Sequence, residues 1–252
     1  MHLSELTVTT LAERPEYADR LWGMPDSWAA FMLHDTAANA CFGLVPELFP
    51  EYVLIATDRD GELVARGLSA PFALTSPKRG GLLPDRGWDA VLLWAVADHR
   101  RGDTPDTVTA LEIAIRPDAQ GTGLSTTLLT AMRRNAAARG FTDLVAPVRP
   151  SAKHQEPDTP MSDYAFRSRP ADGLPHDPWL RVHVRAGATI EKVAPASMTI
   201  PGSLPEWRTW TGLPFDTPGP VLVPGALVPV HCDVTAGVAV YVEPNVWVRH
   251  RL

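Results

Sequence analysis

Three side chains stand where a proton could be moved. Glu112 lies in an alternating run, residues 108–115, and its same-face neighbours Ala110 and Ala114 are small enough to leave a cavity around a carboxylate. A carboxylate so placed can act as a general base. His183 carries an imidazole whose ordinary pKa, about 6.5, suits it to give or take a proton at neutral pH. Tyr164 offers a phenol as a third candidate, an acid.

A fourth feature binds instead of reacting. Gln120, Gly121, Thr122, Gly123, Leu124 and Ser125 join a strand to an amphipathic helix. The two glycines let main-chain N–H groups approach an anion closely, and the helix tip adds unpaired donors and a positive dipole end. That combination is a cradle for a phosphate or diphosphate. Two familiar cradles do not fit it. A Walker loop needs Gly-Lys-Ser/Thr, and this loop has no lysine. A dinucleotide fingerprint needs a third glycine where Thr126 stands.

The elements that must position these groups follow from periodicity and turn residues. Residues 13–24 and 27–35 read as helices. Residues 52–58 and 63–74 read as a hairpin turning at Arg59, Asp60 and Gly61. A Gly- and Pro-rich loop covers 75–87, and a helix is expected over 88–99. The clearest strand is 108–115. Leu124, Leu128 and Met132 recur at i+4 and define a helix over 124–139, with Gly140 as its stop. A strand over 143–148, a helix over 178–186 and a strand over 189–193 complete the pattern. Between them, 149–177 is too long and polar for a plain connection, which is a mark of functional loops. His176 and Asp177 within it are candidates to shape an acceptor pocket. The last 50 or so residues, rich in Trp and Pro, read as an irregular extension, with a dense polar-aromatic patch at Glu243, Pro244, Asn245, Val246 and Trp247. No linker breaks the chain, so one domain over 1–252 is expected.

Composition narrows the classes. The 252 residues are 45% hydrophobic, enough for a core of ordinary size. Two distant cysteines, Cys41 and Cys232, fit a reduced cytoplasmic protein better than a disulfide scaffold. No Cys/His spacing suits zinc, so no metal is expected. No apolar run reaches the ~18 residues of a membrane span, and the N-terminus lacks a signal-peptide pattern. A net charge of −6 argues against nucleic acid as partner. The charge is uneven, however. Residues 133–185 hold nine Lys/Arg against six Asp/Glu, while residues 1–112 hold nine against seventeen. Arg133, Arg134 and Lys153 are the candidates for meeting a phosphorylated or acidic partner.

The loop Gln120-x-x-Gly123-x-Ser125 resembles the Gln/Arg-x-x-Gly-x-Gly/Ala signature of the GNAT superfamily, the GCN5-related N-acetyltransferases. Ser125 departs from the usual Gly or Ala. The order strand, loop, helix, strand, helix, strand across 108–193 matches too, whereas 75–106, 150–177 and 200–252 look like insertions and an extension. The resemblance implies an α+β fold (α/β/α), with a mixed, mostly antiparallel central sheet split into a V between the fourth and fifth strands. It implies a phosphopantetheine arm in that V, pairing with Ile113 and Ile115, and a diphosphate on residues 120–125. The fifth strand would be 144–148, with Pro147 and Pro150 removing donors near its end. It also implies an N-acyltransferase acting on a small-molecule amine, with backbone N–H groups of the fourth strand stabilising the oxyanion and Glu112 as base. His183 falls four residues before Gly187, where many members place a Tyr facing the departing sulfur, and it is the alternative base or acid. Of the two donors that share the arm, the positive stretch suits either, and an acyl carrier protein is preferred over acyl-CoA because the 149–177 insertion adds surface beside the cleft for a protein to dock on. The RPDAQGTGLS, APVRPSAK, GLPHDPWLRVH and YVEPNVW segments further resemble carrier-dependent GNAT-like transferases of natural-product pathways. An ordinary acyl-CoA N-acetyltransferase and a non-catalytic acyl-thioester sensor are the alternatives.

Overall fold

A computed structural model describes residues 6–252. In chain order its elements are β1 (Thr7–Thr10), α1 (Thr36–Cys41), α2 (Val45–Leu48), β2 (Val53–Thr57), β3 (Leu63–Phe72), α3 (Gly87–Arg101), β4 (Thr107–Ile115), α4 (Leu124–Ala138), β5 (Asp143–Val148), α5 (Met161–Ala165), α6 (Pro178–Arg185), β6 (Thr189–Ser203), α7 (Leu204–Thr211), β7 (Gly219–Val221), β8 (Val230–Asp233) and β9 (Val238–Arg251). The strands form one sheet in the order β1-β2-β3-β4-β5-β9-β8-β7, with β6 also paired to β9. All the pairs are antiparallel except β4 with β5, which α4 connects as a crossover. β2 and β3 are buried along their whole length, as expected of apolar runs covered on both faces. This is the mixed, mostly antiparallel α+β architecture that the GNAT resemblance implies.

The parallel pairing of β4 with β5 stops almost at once. Val108 faces Leu144 and Thr109 faces Val145, and beyond them no ladder continues. β4 keeps its pairing with β3 out to Ile115, and β5 pairs with β9 out to Val148. The two strands therefore diverge into a V. A bulge contributes. Leu68 pairs with Glu112 and Ser69 with Ala110, which leaves Leu111 as the extra residue on β4. Such an insertion bends and twists its strand, here where the V opens. The Leu111 carbonyl is not left bare, since the indole Nε1 of Trp88 donates to it at 2.9 Å.

The main apolar cluster packs α3 and α4 against β2–β5 through Trp88, Val91, Leu92, Leu128, Met132, Leu144 and Trp247. At Gly67 a side-chain carbon would come within 3.3 Å of Met132, so the bare glycine lets α4 lie close to β3. A second cluster gathers around Trp207 and Tyr241, and a third around Tyr164, Leu180 and Val248.

Two expectations need correction. The segments 13–24 and 27–35 form only short 3-10 helices, Pro15–Arg20 and Ala30–His34. Pro25 between them forces its neighbour away from the helical region and prevents a longer run. The C-terminal region is not an irregular extension. It holds α7 and three strands, and the 14-residue β9 pairs with β5 on one side and β6 on the other. β6 is likewise longer than expected, running to Ser203 through an irregularity between Ala194 and Met198. Pro195 and Pro244 sit at the break between Ala194 and Met198, where no ladder donor is required, whereas Pro201 lies in register opposite Val240.

Trp88→Phe removes the donor to the bulge carbonyl while keeping most of the packing. Denaturant melts are expected to show a loss of about 1–3 kcal/mol, the cost of an unsatisfied buried acceptor.

Candidate active site

The V is lined by main-chain groups that can be assigned by parity. The Arg116 N–H donates to Val64 O on the far side of β3. Successive residues alternate, so Ala114 also points to β3, while Ile113 and Ile115 present their N–H and C=O to the split. The Ile115 carbonyl accepts a contact from Gln120 Nε2 at 3.4 Å.

At the mouth of the V the loop before α4 forms the expected cradle. Gly121 has φ 74° and Gly123, the N-cap of α4, has φ 86°, a region open to glycine and strained for other residues. Among the described residues, the N–H groups of Gly121, Thr122, Gly123, Leu124 and Ser125 donate to no protein acceptor. Five neighbouring donors at the tip of a 15-residue helix form a nest for an anion. A side chain at Gly121 would meet nothing within 4 Å, so the nest opens outward.

Glu112 lies on the face opposite α4, buried in a tight polar cluster. Arg66 Nε donates to Oε2 at 2.7 Å and its Nη2 to Oε1 at 3.2 Å. Trp28 Nε1 donates to Oε1 at 2.9 Å. Arg66 is itself fully engaged, with Asp26 at 3.0 Å and the Leu21 carbonyl at 3.0 Å. Removing the Glu112 carboxylate would leave the buried Arg66 with Asp26 as its one remaining carboxylate partner. One lone pair of Oε2 stays unclaimed. The loop bearing Asp26, Ser27 and Trp28 arches over the V, because Ser27 Oγ also contacts Gln120 Nε2 at 3.2 Å.

Across the V, Arg149 directly follows β5 and donates to Glu243, a fully buried carboxylate also held by Tyr241 and Asn245. Asn245 in turn accepts from Ser197 Oγ, whose oxygen accepts from Trp88 N. The polar-aromatic patch at 243–247 thus reaches the site through Glu243 and Asn245.

The structure separates the other candidates from this centre. His183 is buried in the last turn of α6, edge-on to Trp179, with Nδ1 3.0 Å from Nε2 of His250. Burial and the neighbouring His250 push His183 down to about 3, and burial with the nearby Arg133 pushes His250 down to about 4. Both imidazoles are neutral at physiological pH, which removes His183 as a proton donor. The Tyr164 hydroxyl donates to Asp177 at 3.0 Å, and burial beside that carboxylate raises the phenol well above its ordinary value. Asp177 also caps α6 by accepting from Trp179 N and Leu180 N. Tyr164 and Asp177 therefore fasten the 149–177 segment to α6, and nothing places Tyr164 or His176 beside Glu112.

Lys153 is a clear correction. It is wholly buried and its ammonium donates to the carbonyls of Glu156, Pro157 and Leu227, so it offers no charge to a docking partner. Burial lowers its pKa accordingly. Two carbonyls of its own loop and one from the loop carrying Leu227 recruited the cation inward. Arg133 is half-buried with Nε unpartnered, and Arg134 alone of the three is exposed. Sequence reasoning also missed Asp26, Trp28, Arg66 and Arg149. Arg66 carried a signal, being a lone charge within the apolar run of β3. The others depend on loops whose path no local pattern reveals.

No family model matches the chain. A curated relative does: the arginine N-acetyltransferase avaD of Aspergillus versicolor is 32% identical over 274 residues, covering 97% of this chain and 93% of that protein. Among solved structures, the fold matches the loading GNATL domain of CurA from Lyngbya majuscula, with a TM-score of 0.60 and 19% identity over 98% of this chain and 97% of that one. It also matches the GphF GNAT-like decarboxylase in complex with isobutyryl-CoA, with a TM-score of 0.57 and 16% identity over 98% of both chains. The chain belongs to the GNAT superfamily. It is an acyltransferase of the N-acetyltransferase type. No described helix is long and apolar enough to cross a membrane.

Two measurements test this description. Lys153→Met should lower the melting temperature clearly, while Arg134→Glu should leave stability within about 0.5 kcal/mol, as exposed substitutions do. The histidine pair has a defined pH signature. Its folded pKa values lie below the unfolded 6.5, so between about pH 6.5 and 4 the unfolded chain binds protons that the native state refuses. The pair's contribution to stability is present above pH 6.5 and is lost as pH falls through that window. The His183→Gln/His250→Gln double variant is expected to lose less stability over the same pH drop in thermal melts.

Proposed function

We propose that the protein moves an acyl group from a phosphopantetheine thioester to the amine of a small molecule. The observation that carries this reading is the row of five unclaimed N–H groups at residues 121–125, set beside a strand whose Ile113 and Ile115 main-chain groups face an open V. The nest suits the phosphate groups that lead the arm, with Gln120 at its edge. The two isoleucines offer the arm an edge to pair with, as an added strand would. The thioester carbonyl then lies near the bulge, where the Ile113 N–H is the donor we assign to the developing oxyanion.

The acceptor reaches the thioester from the opposite face, where Glu112 stands. We assign Glu112 to the amine: the free lone pair on Oε2 takes one proton from the incoming ammonium, leaving a neutral amine, and the carboxyl later returns that proton to solvent. The nitrogen then bonds to the carbonyl carbon, the C–S bond breaks, and the proton shed by the new amide nitrogen passes through water to the thiolate, since the neutral His183 and the engaged Tyr164 are unsuited to give one. A non-catalytic sensor would need none of the charge gathered around Glu112.

Free acyl-CoA is the donor we favour. With Lys153 buried, the basic face proposed for a carrier protein keeps Arg134 and a half-buried Arg133. The test compares acetyl-CoA with acetyl-loaded carrier protein, following thiol release with a panel of amines that begins with L-arginine. Turnover confined to the carrier-loaded donor would reverse the assignment, and no turnover with either would end the acyl-transfer reading.

Two variants follow. Gly123→Val strains the nest and fills it, and should raise the KM for acetyl-CoA about tenfold or more, the order expected when charge-assisted hydrogen bonds are lost. Glu112→Gln should lower kcat by about 10²-fold, the lower end of general-base contributions, while leaving the donor Kd near its original value in calorimetry.

A further inference from the structure

We propose that Arg149 is a carboxylate anchor in the acceptor chamber, so that the acceptor is an amino acid and not a plain amine. This rests on the acyl-transfer reading above and names the class of acceptor.

Arg149 sits at the diverging end of β5 and is held rigidly from two sides. Nε donates to Glu243 at 2.9 and 3.1 Å, and Nη2 donates to the Gly225 carbonyl at 2.5 Å. Glu243 is in turn fixed by the Tyr241 hydroxyl at 2.7 Å and by Asn245 Nδ2 at 3.0 Å. The remaining nitrogen, Nη1, donates to nothing among the described residues, and the side chain keeps 21% of its surface open. An oriented guanidinium with one unclaimed nitrogen is a ready partner for a carboxylate, since its position is already fixed and its charge is only weakly hydrated.

The open side of Arg149 faces the chamber. The Trp28 ring lies 6.0 Å from its guanidinium carbon, and the same indole donates to Glu112 on the other strand. Gly225, which accepts from Arg149, also lies against Ala29 of the arching loop. Trp28 thus bridges a positive group at the end of β5 and a negative cluster on β4. On the negative side Arg66 is shared by two carboxylates, Glu112 and Asp26, and Asp26 remains 26% exposed. One carboxylate charge there is therefore uncompensated, while the opposite wall carries the free Nη1. A ligand with an ammonium at one end and a carboxylate nearby fits the acidic cluster and Nη1 together, and a simple amine would leave Nη1 without an acceptor.

The test uses the intact protein with CoA present and compares L-arginine with agmatine, the same molecule lacking the carboxylate. Calorimetry reads binding, and thiol release from acetyl-CoA reads turnover. The wild type is expected to bind arginine about tenfold or more tightly than agmatine, the order expected of one charged hydrogen bond. In Arg149→Gln that ratio should fall to about one. Arg149→Lys, which keeps a cation for Glu243 but loses the planar fork, should give an intermediate ratio and covers the case in which Arg149→Gln does not fold. An unchanged ratio in either folded variant overturns the proposal. So does a wild type that binds both ligands alike, or a variant that alters preference between acetyl- and malonyl-CoA, because the carboxylate would then belong to the donor. Discriminating binding with no turnover would leave Arg149 in place and strike the acyl-transfer reading.

Discussion

The arrangement depends on the early end of one hydrogen-bond ladder. After Thr109 and Val145, β4 and β5 no longer pair, and the main-chain groups of Ile113 and Ile115 are left facing open space. Buried backbone donors and acceptors without partners are costly, so a gap of this kind survives only if each strand is fully held elsewhere. β3 holds β4 and β9 holds β5. The extra residue at Leu111 bends β4 away, and Trp88 satisfies the carbonyl that the bend exposes. The result is a stretch of β4 edge with no ladder partner among the described residues.

The two faces of the V carry different chemistry. On one face α4 supplies only main-chain donors and a helix dipole, which suit phosphate without regard to what the phosphate is attached to. On the other face, charged side chains from β3, β4, β5 and β9 meet under Trp28. Each buried carboxylate there has a guanidinium partner, Glu112 with Arg66 and Glu243 with Arg149. Pairing offsets the cost of burying these groups and locks their rotamers, so their positions are set before a ligand enters.

The long segment between β5 and α6 shapes this chamber indirectly. Lys153 ties it to the loop carrying Leu227, and Tyr164 ties it to the cap of α6 through Asp177. Leu227 N donates to the Tyr241 hydroxyl, which itself donates to Glu243. Groups that resemble catalytic acids and docking cations in the sequence are therefore structural pins, because their polar ends found buried partners within the same chain.

The sequence by itself determined the local pieces: the hairpin of β2 and β3, the alternating β4, the amphipathic α4 and the glycine loop before it. Each is set by a short-range rule, a period of two or 3.6 or a positive φ, and each was legible with boundaries close to those observed. It also marked Glu112 and residues 120–125. Only the tertiary structure decided that the C-terminal residues form β9 beside β5, that Lys153 points inward, that Asp26, Trp28 and Arg66 gather at Glu112, and that Arg149 lies on the other side of Trp28. Those outcomes rest on partners as much as 108 residues away, such as Arg251 for Asp143. Neither propensity nor spacing carries that information, because a long polar side chain takes whichever partner the folded backbone brings within reach.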